Sequence, residues 1–241
     1  MTEMPKFAIS MVTYNREDGT TKEKIKKAID SIKNQTYDNW KVFLVGDHYT
    51  NYEEFEEISR FLSEDKITAV NLPIAAERES GEFTGHSLWC SAGANATNES
   101  INLELAEGFQ IHCHLDDDDE WLPYHLDILK MGYYNFPESM FIYTNSFYVN
   151  QARQQTLFPQ DRVPQMLHYN NLPPRPCRLI HSTASWRIDK IPFRMRTSIE
   201  QGRIYPGDAD MWERINKWCH QNGEKSLYIP ITTVMKYSEG G

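Results

Sequence analysis

The sequence predicts an α/β domain with a mostly parallel central sheet and helices on both faces, and three observations carry that prediction. Short apolar stretches alternate with amphipathic helical patterns through residue 72, the βαβαβ order that lays strands side by side in parallel. Polar residues gather just past the ends of three strands. No internal repeat or interdomain linker breaks the 241 residues, so one domain over 1–241 is expected.

Residues 7–13 (FAISMVT) read as a buried strand closed by Tyr14-Asn15. A helix over 21–34 follows, with Ile25, Ala28, Ile29 and Ile32 on one stripe and Lys22, Lys24, Lys26, Lys27 and Lys33 mostly toward solvent. The second strand, 41–46, stops at Asp47. Phe55, Ile58 and Leu62 mark a second helix, and 67–72 a third strand. Ala92, Ala96, Leu103 and Ala106 place helix within 88–107, with Gly108 closing it as a C′ residue. Strand four, 109–115, runs directly into Asp116-Asp117-Asp118-Asp119. Pro123 begins a helix ending near Asn135 that offers Leu126, Leu129 and Met131 for packing. Residues 140–149 read as one or two strands. The stretch 150–176, with Pro159, Pro164, Pro173, Pro174 and Pro176, reads as a long loop of the kind that carries function. A strand at 178–187, a helix after Pro206-Gly207-Asp208 containing Met211, Ile215 and Trp218, and a last strand near 226–234 complete the pattern.

Composition narrows the function classes. At 40% hydrophobic and 24% charged residues, the chain has the balance of a globular protein, not a disordered one. The net charge of −9 and the lack of a basic patch argue against a nucleic-acid partner. An anionic ligand would instead need a local cation, for which a bound divalent metal is the simplest source. No apolar run approaches a membrane span and the N-terminus has no signal-peptide core, so a cytoplasmic protein is expected. Cys90, Cys113, Cys177 and Cys219 are scattered without a CxxC pair and read as reduced, mostly buried thiols.

In open parallel sheets, ligands bind beyond the carboxyl ends of the strands. If strands one, two and four are neighbours, Thr13 to Asn15, Asp47 and Asp116 to Asp119 meet on one rim. Four consecutive aspartates raise one another's pKa or recruit a cation, and Mg²⁺ or Mn²⁺ suits carboxylate oxygens. The plainer alternative is a solvated acidic turn in which Asp119 favours the start of the next helix. Asp208 is either a helix cap, a role Asp210 could take instead, or a general base entering from the second half of the domain. His112 and His114 share one strand face and read as buried, hydrogen-bonded histidines. His181 leads toward the same end of the molecule as Asp208. Arg187, Arg194, Arg196 and Arg203 could steady a diphosphate or simply be solvated.

The runs ISMVTYNR (Ile9 to Arg16), SIKNQTYDNWKVFLVGD (Ser31 to Asp47) and LAEGFQIHCHLDDDDEWLPYHL (Leu105 to Leu126) resemble family 2 glycosyltransferases of the GT-A fold. The resemblance covers about residues 6 to 235. It implies a single Rossmann-like GT-A domain, with a nucleotide-binding half over about 6–120 and an acceptor-side half over about 121–235. Thr13, Tyr14 and Asn15 would then line the nucleotide pocket and Asp47 would contact the base, most often uracil. Asp116 and Asp117 would serve the nucleotide-sugar, Asp116 at the ribose, and Asp118 would coordinate the metal on the diphosphate. Asp208, followed by Met211-Trp212-Glu213-Arg214, matches the aspartate that deprotonates the acceptor hydroxyl. Three positions depart from the family: Gly46-Asp47-His48-Tyr49 after strand two, no arginine in Ala94-Asn95-Ala96-Thr97-Asn98, and Gly207 where a second carboxylate commonly precedes Asp208.

The implied activity is a hexosyltransferase-like, inverting transfer from a nucleotide-diphosphate donor to a hydroxyl acceptor, such as a glycan, assisted by Mn²⁺ or Mg²⁺. Two rivals remain. A nucleotidyltransferase would need a Gly-rich basic loop where Tyr14-Asn15-Arg16-Glu17-Asp18-Gly19 stands. An inactive sugar- or nucleotide-binding module would fit the departures. The acceptor side is expected from 150–206, where the resemblance is weakest.

Overall fold

Phe7–Thr13 forms β1, a strand buried almost throughout. It pairs in parallel with β2 (Trp40–Gly46) on one side and β4 (Ile111–His114) on the other. The computed structural model describes residues 4–150, 152–158 and 179–237. The five prolines of the expected loop, Cys177 and the first residue of the strand expected at 178–187 lie outside them.

The first half follows the sequence closely. Helix α1 (Thr21–Lys33) buries Ile25, Ala28, Ile29 and Ile32 completely, each fully buried isoleucine contributing roughly 1.5–3 kcal/mol. Helix α2 (Tyr52–Ser59) and strand β3 (Ile67–Asn71) come next, with β3 parallel to β2. A short helix, α3 (Ala76–Glu79), precedes the segment expected as one helix over 88–107. That segment is two helices, α4 (Gly85–Ser91) and α5 (Ala94–Ala106). The break falls at Gly93, whose φ of +79° is the left-handed conformation glycine adopts without penalty. Gly108 closes α5 as expected, with its own N–H bonded to Leu105 O and that of Phe109 to Glu104 O.

The second half departs from the prediction. Strands β5 (Glu120–Trp121) and β7 (Gln155–Phe158) were not anticipated, and β7 falls inside the expected loop. The strand expected at 178–187 is a 3₁₀ turn over His181–Thr183 followed by β8 (Ala184–Arg187). Helix α6 (His125–Asn135) precedes β6 (Ser139–Val149), and helices α7 (Ser198–Gln201) and α8 (Gly207–Asn222) follow β8 and lead to β9 (Lys225–Tyr237). Leu126 and Leu129 are buried, but Met131 is 53% exposed and takes no part in the core.

The sheet runs β3-β2-β1-β4-β8-β6-β9-β5, with β7 beside β6. Among the described residues, β4–β8, β6–β8, β5–β9 and β6–β7 are antiparallel, while the pairs within β1–β4 and β6–β9 are parallel. The sheet is therefore mixed, and the expectation of a mostly parallel one is corrected. Parallel neighbours need a crossover helix, which the first half supplies. Antiparallel neighbours need only a return of the chain, which leaves no such alternation to read.

Helices cover both faces. Phe7, Ile9 and Met11 pack with residues of α1, α2 and α6. On the other face Ala8 and Phe43 pack beside α5, and Phe141, Trp186, Met211, Trp212 and Ile215 join α5 to α8. Strand order reverses at β1, since β2 and β3 build outward on one side and β4 joins on the other. That switch point opens a crevice beyond the carboxyl ends of these strands.

Candidate functional site

The three polar clusters share this rim, because β2, β1 and β4 are adjacent and point the same way. Behind the rim, the Asn34-Gln35-Thr36-Tyr37 segment acts as a fastener. Gln35 donates to Leu122 O and accepts from Leu126 N, the Thr36 N–H bonds Pro123 O, and Trp121 N–H bonds Ser31 Oγ. The end of α1 thus fixes the chain that leaves the acidic run.

The acidic run is a tight turn with Asp119 N–H bonded to Asp116 O, and it is not a solvated one. Asp119 is fully buried, accepts from Ser182 Oγ at 2.7 Å, and leads into strand β5 rather than a helix. Ser182 Oγ also accepts from Asp116 N–H, and Trp121 Nε1 donates to Ser182 O. Asp117 is gripped by Arg16 through two bonds of 2.6 and 2.9 Å, and the same guanidinium lies 3.7 Å from Asp118.

A lysine from the last strand enters the same cluster. Lys236 Nζ lies 3.3 Å from Asp116, 3.5 Å from Asp118 and 3.3 Å from Asp119. Burial works to raise the Asp116 carboxyl, but Lys236, with His114 and His181, outweighs it and holds it well below the usual range. Burial raises Asp118, and it raises Asp119 well above the ordinary value. Three carboxylates this close do not ionise alike.

Carboxylate oxygens of Asp116, Asp118 and Asp119 converge within 4.8 Å, and this all-oxygen donor set suits Mg²⁺ or Mn²⁺. Asp118 is the freest of the three, since Ser182 holds Asp119 and His114 holds Asp116. The residues present fit such an ion. His114, Asp116 and His181 form a second convergence. There the two imidazoles are stacked 3.5 Å apart at 3°, so no single ion can lie in the plane of both rings.

Beside the acidic run lies a cleft of about 590 Å³ whose walls include Tyr14, Asn15, Arg16, Asp47 and Arg78. Asp47 is 3% exposed; one oxygen is 3.3 Å from Arg78 Nε and the other has no partner. Burial pushes this carboxyl up against the pull of Arg78. Arg78 stacks on the Tyr14 ring at 3.7 Å, and Arg16 lies 4.7 Å from it. Asn15 Nδ2 donates to Glu54. Thr13 sits behind the cleft, fully buried and bonded to Tyr49 OH.

Asp208 stands in the first turn of α8 and accepts from the Ala209 N–H. It does not cap the helix, and neither does Asp210, which is bound by Arg196 and Arg214. Burial, with the nearby Asp116 charge adding to it, pushes Asp208 up to about 6, so this carboxyl feels the acidic run. His181 is buried with Nε2 unpartnered, stacked on His114 beside Asp116. His112 is bonded to Glu104 at 2.8 Å with both side chains fully buried, as expected of a structural histidine.

Arg187 is not at this rim. It lies opposite Ile111, at the start of β4, and donates to Ser139 O and Pro137 O at the far end of the sheet. Arg196 and Arg203 are engaged with Asp210 and Glu213. Sequence reading singled out none of Arg16, Arg78, Ser182 and Lys236 for the site. Only Arg16 carried a signal, as a cation just past the end of β1. The other three arrive from the short helix α3, a 3₁₀ turn and the last strand. Cys90, Cys113 and Cys219 are buried free thiols, and no helix among the described residues is long and apolar enough to cross a membrane.

No protein-family model matches the chain. An uncharacterized glycosyltransferase of Acanthamoeba polyphaga mimivirus is 36% identical over 239 residues, covering 98% of this chain and 95% of that protein. WcaA of Escherichia coli, named as a glycosyl transferase of colanic acid biosynthesis, is 26% identical over 174 residues, 70% of this chain and 54% of its own length. Among solved structures, TarS of S. aureus in complex with UDP-GlcNAc superposes with a TM-score of 0.65 at 12% identity, over 98% of this chain and 59% of the solved one. Its complex with UDP gives 0.64, with this chain spanning 61% of it. Identity that low speaks to the fold alone.

Proposed function

The chain belongs to the glycosyltransferases, and from that premise we propose that it moves a sugar from a nucleotide-diphosphate donor to an acceptor hydroxyl. In this reading it works as a GT-A enzyme of the family 2 type, with inversion at the anomeric carbon and a UDP-sugar as the first donor to test. The observation that carries the reading is one rim holding an acidic run, with Asp117 and Asp119 buried, at the switch point of the sheet, and Asp208 close enough for its carboxyl to be raised by Asp116.

In this proposal the cleft of Tyr14, Asn15, Asp47 and Arg78 takes the nucleotide, with Thr13 supporting its wall through Tyr49. Tyr14 offers a ring face, and Arg16 and Arg78 bring positive charge to a protein that repels anions overall. Asp116 and Asp117 border the sugar-nucleotide, and Asp118 holds Mn²⁺ or Mg²⁺. Such an ion supplies fixed positive charge where the diphosphate leaves. Asp208 accepts the proton of the attacking hydroxyl, and a carboxyl titrating near 6 is ionised yet basic enough at neutral pH. His181, stacked on His114, borders the same cluster beside Asp116. Residues 6–120 form the donor half and 121–235 the acceptor half.

Thermal unfolding with UDP, GDP, CDP and dTDP, each with and without Mn²⁺, tests the donor site. A ligand at about 100 times its Kd stabilises the fold by roughly 2.7 kcal/mol. Metal-dependent stabilisation by one nucleotide is expected. No response to any of the four would remove the donor assignment, and binding without turnover of any sugar donor would favour a non-catalytic binding module.

A further inference from the structure

Lys236 reaches the acidic run from the end of β9, and its ammonium lies within 3.5 Å of an oxygen on each of Asp116, Asp118 and Asp119. Those are the carboxylates whose oxygens converge closely enough to hold a metal ion. An ammonium and a divalent ion cannot share that position, because like charges a few ångströms apart repel strongly where water is scarce.

We propose that Lys236 is a tethered cation that fills the metal position of the unliganded site and must withdraw before a divalent ion can bind there. The inference rests on the metal-assisted reading above. Neighbouring contacts make the lysine the movable member. Asp119 is fully buried and held by Ser182, and Asp117 is clamped by the two-pronged grip of Arg16. Lys236 carries a compact charge on a flexible four-carbon stem with its side chain 20% exposed, so it can swing out while the carboxylates stay in place. It also answers a structural need, since buried carboxylates without a counter-charge are costly in the metal-free protein. A diphosphate arriving with the ion would offer the displaced ammonium a new partner. Metal entry would then be favoured when donor is present.

The test is Mn²⁺ binding to the nucleotide-free protein, followed by the electron paramagnetic resonance signal of free Mn²⁺. Lys236→Met, which keeps the stem and removes the charge, is expected to bind Mn²⁺ at least tenfold more tightly than the wild type. Lys236→Gln replaces it if the methionine variant does not fold. Adding Asp118→Ala to the neutral variant should abolish the gained binding. Affinity no tighter than wild type in the neutral variant, or a gain that survives Asp118→Ala, overturns the proposal. The donor assignment fails separately, through absence of any nucleotide binding, because the Lys236 comparison is made without nucleotide.

Discussion

Replacing Asp208 with asparagine should raise stability while removing turnover, and the two effects have one cause. The carboxyl is raised from the ordinary 3.8 to about 6, mainly by burial. A rise of that size corresponds to about 3 kcal/mol between protonation states, and the half-buried position reduces the usable figure to about 1–2 kcal/mol. The sign follows from linkage. A folded-state pKa above the unfolded value means the native protein holds the proton more tightly, so this group's favourable contribution is complete below about 4 and is lost as pH rises through about 6. Asparagine never ionises and can still accept the Ala209 N–H. In chelator-treated protein, urea unfolding of Asp208→Asn and wild type should coincide near pH 4 and diverge to about 1–2 kcal/mol in favour of the variant at pH 7.5. Melting temperature should follow by roughly 2–4 °C for each kcal/mol in a chain of this size. Sugar transfer should vanish while nucleotide binding survives. A variant that gains nothing between pH 4 and 7.5 would refute the burial argument, and one that still turns over would refute the role as base.

Three further outcomes are open to measurement. Asp118→Asn should lose the metal-dependent part of the nucleotide stabilisation, whose total is roughly 2.7 kcal/mol at 100 times Kd, in thermal unfolding; an unchanged Mn²⁺ effect would move the metal elsewhere. Burial pushes Glu104 well above and His112 well below their ordinary pKa values, which favours a neutral pair. Glu104→Gln should therefore cost under about 1 kcal/mol in urea unfolding, against about 1–3 kcal/mol for Glu104→Leu, which strands His112 and Ser100; equal losses would contradict a neutral pair. A Cβ on Gly46 would lie 2.7 Å from a Phe55 ring carbon and 2.8 Å from Asn71 Oδ1, which holds the Tyr49 N–H. Gly46→Ala should cost about 1–3 kcal/mol in the same assay, and no loss would mean that α2 yields freely.

Where a local pattern sufficed, the sequence determined the outcome by itself. The i, i+3, i+4, i+7 stripe of α1, the apolar runs of β1 and β2, Gly108 after α5 and the aspartates at the end of β4 are each set by neighbours a few residues apart. These features also made Tyr14, Asn15, Asp47 and Asp116 to Asp119 readable as one rim once the strands alternated with helices. Only the tertiary structure decided the rest. The antiparallel half of the sheet, the removal of Arg187 to the opposite end and the gathering of Ser182 and Lys236 around the aspartates depend on pairings between segments far apart in the chain. Lys236 lies 120 residues from Asp116, and a lone lysine at the end of a strand has no periodicity to mark it. Its importance comes from charge packed into a water-poor space, where a Coulomb interaction depends on distance and dielectric and not on position in the sequence.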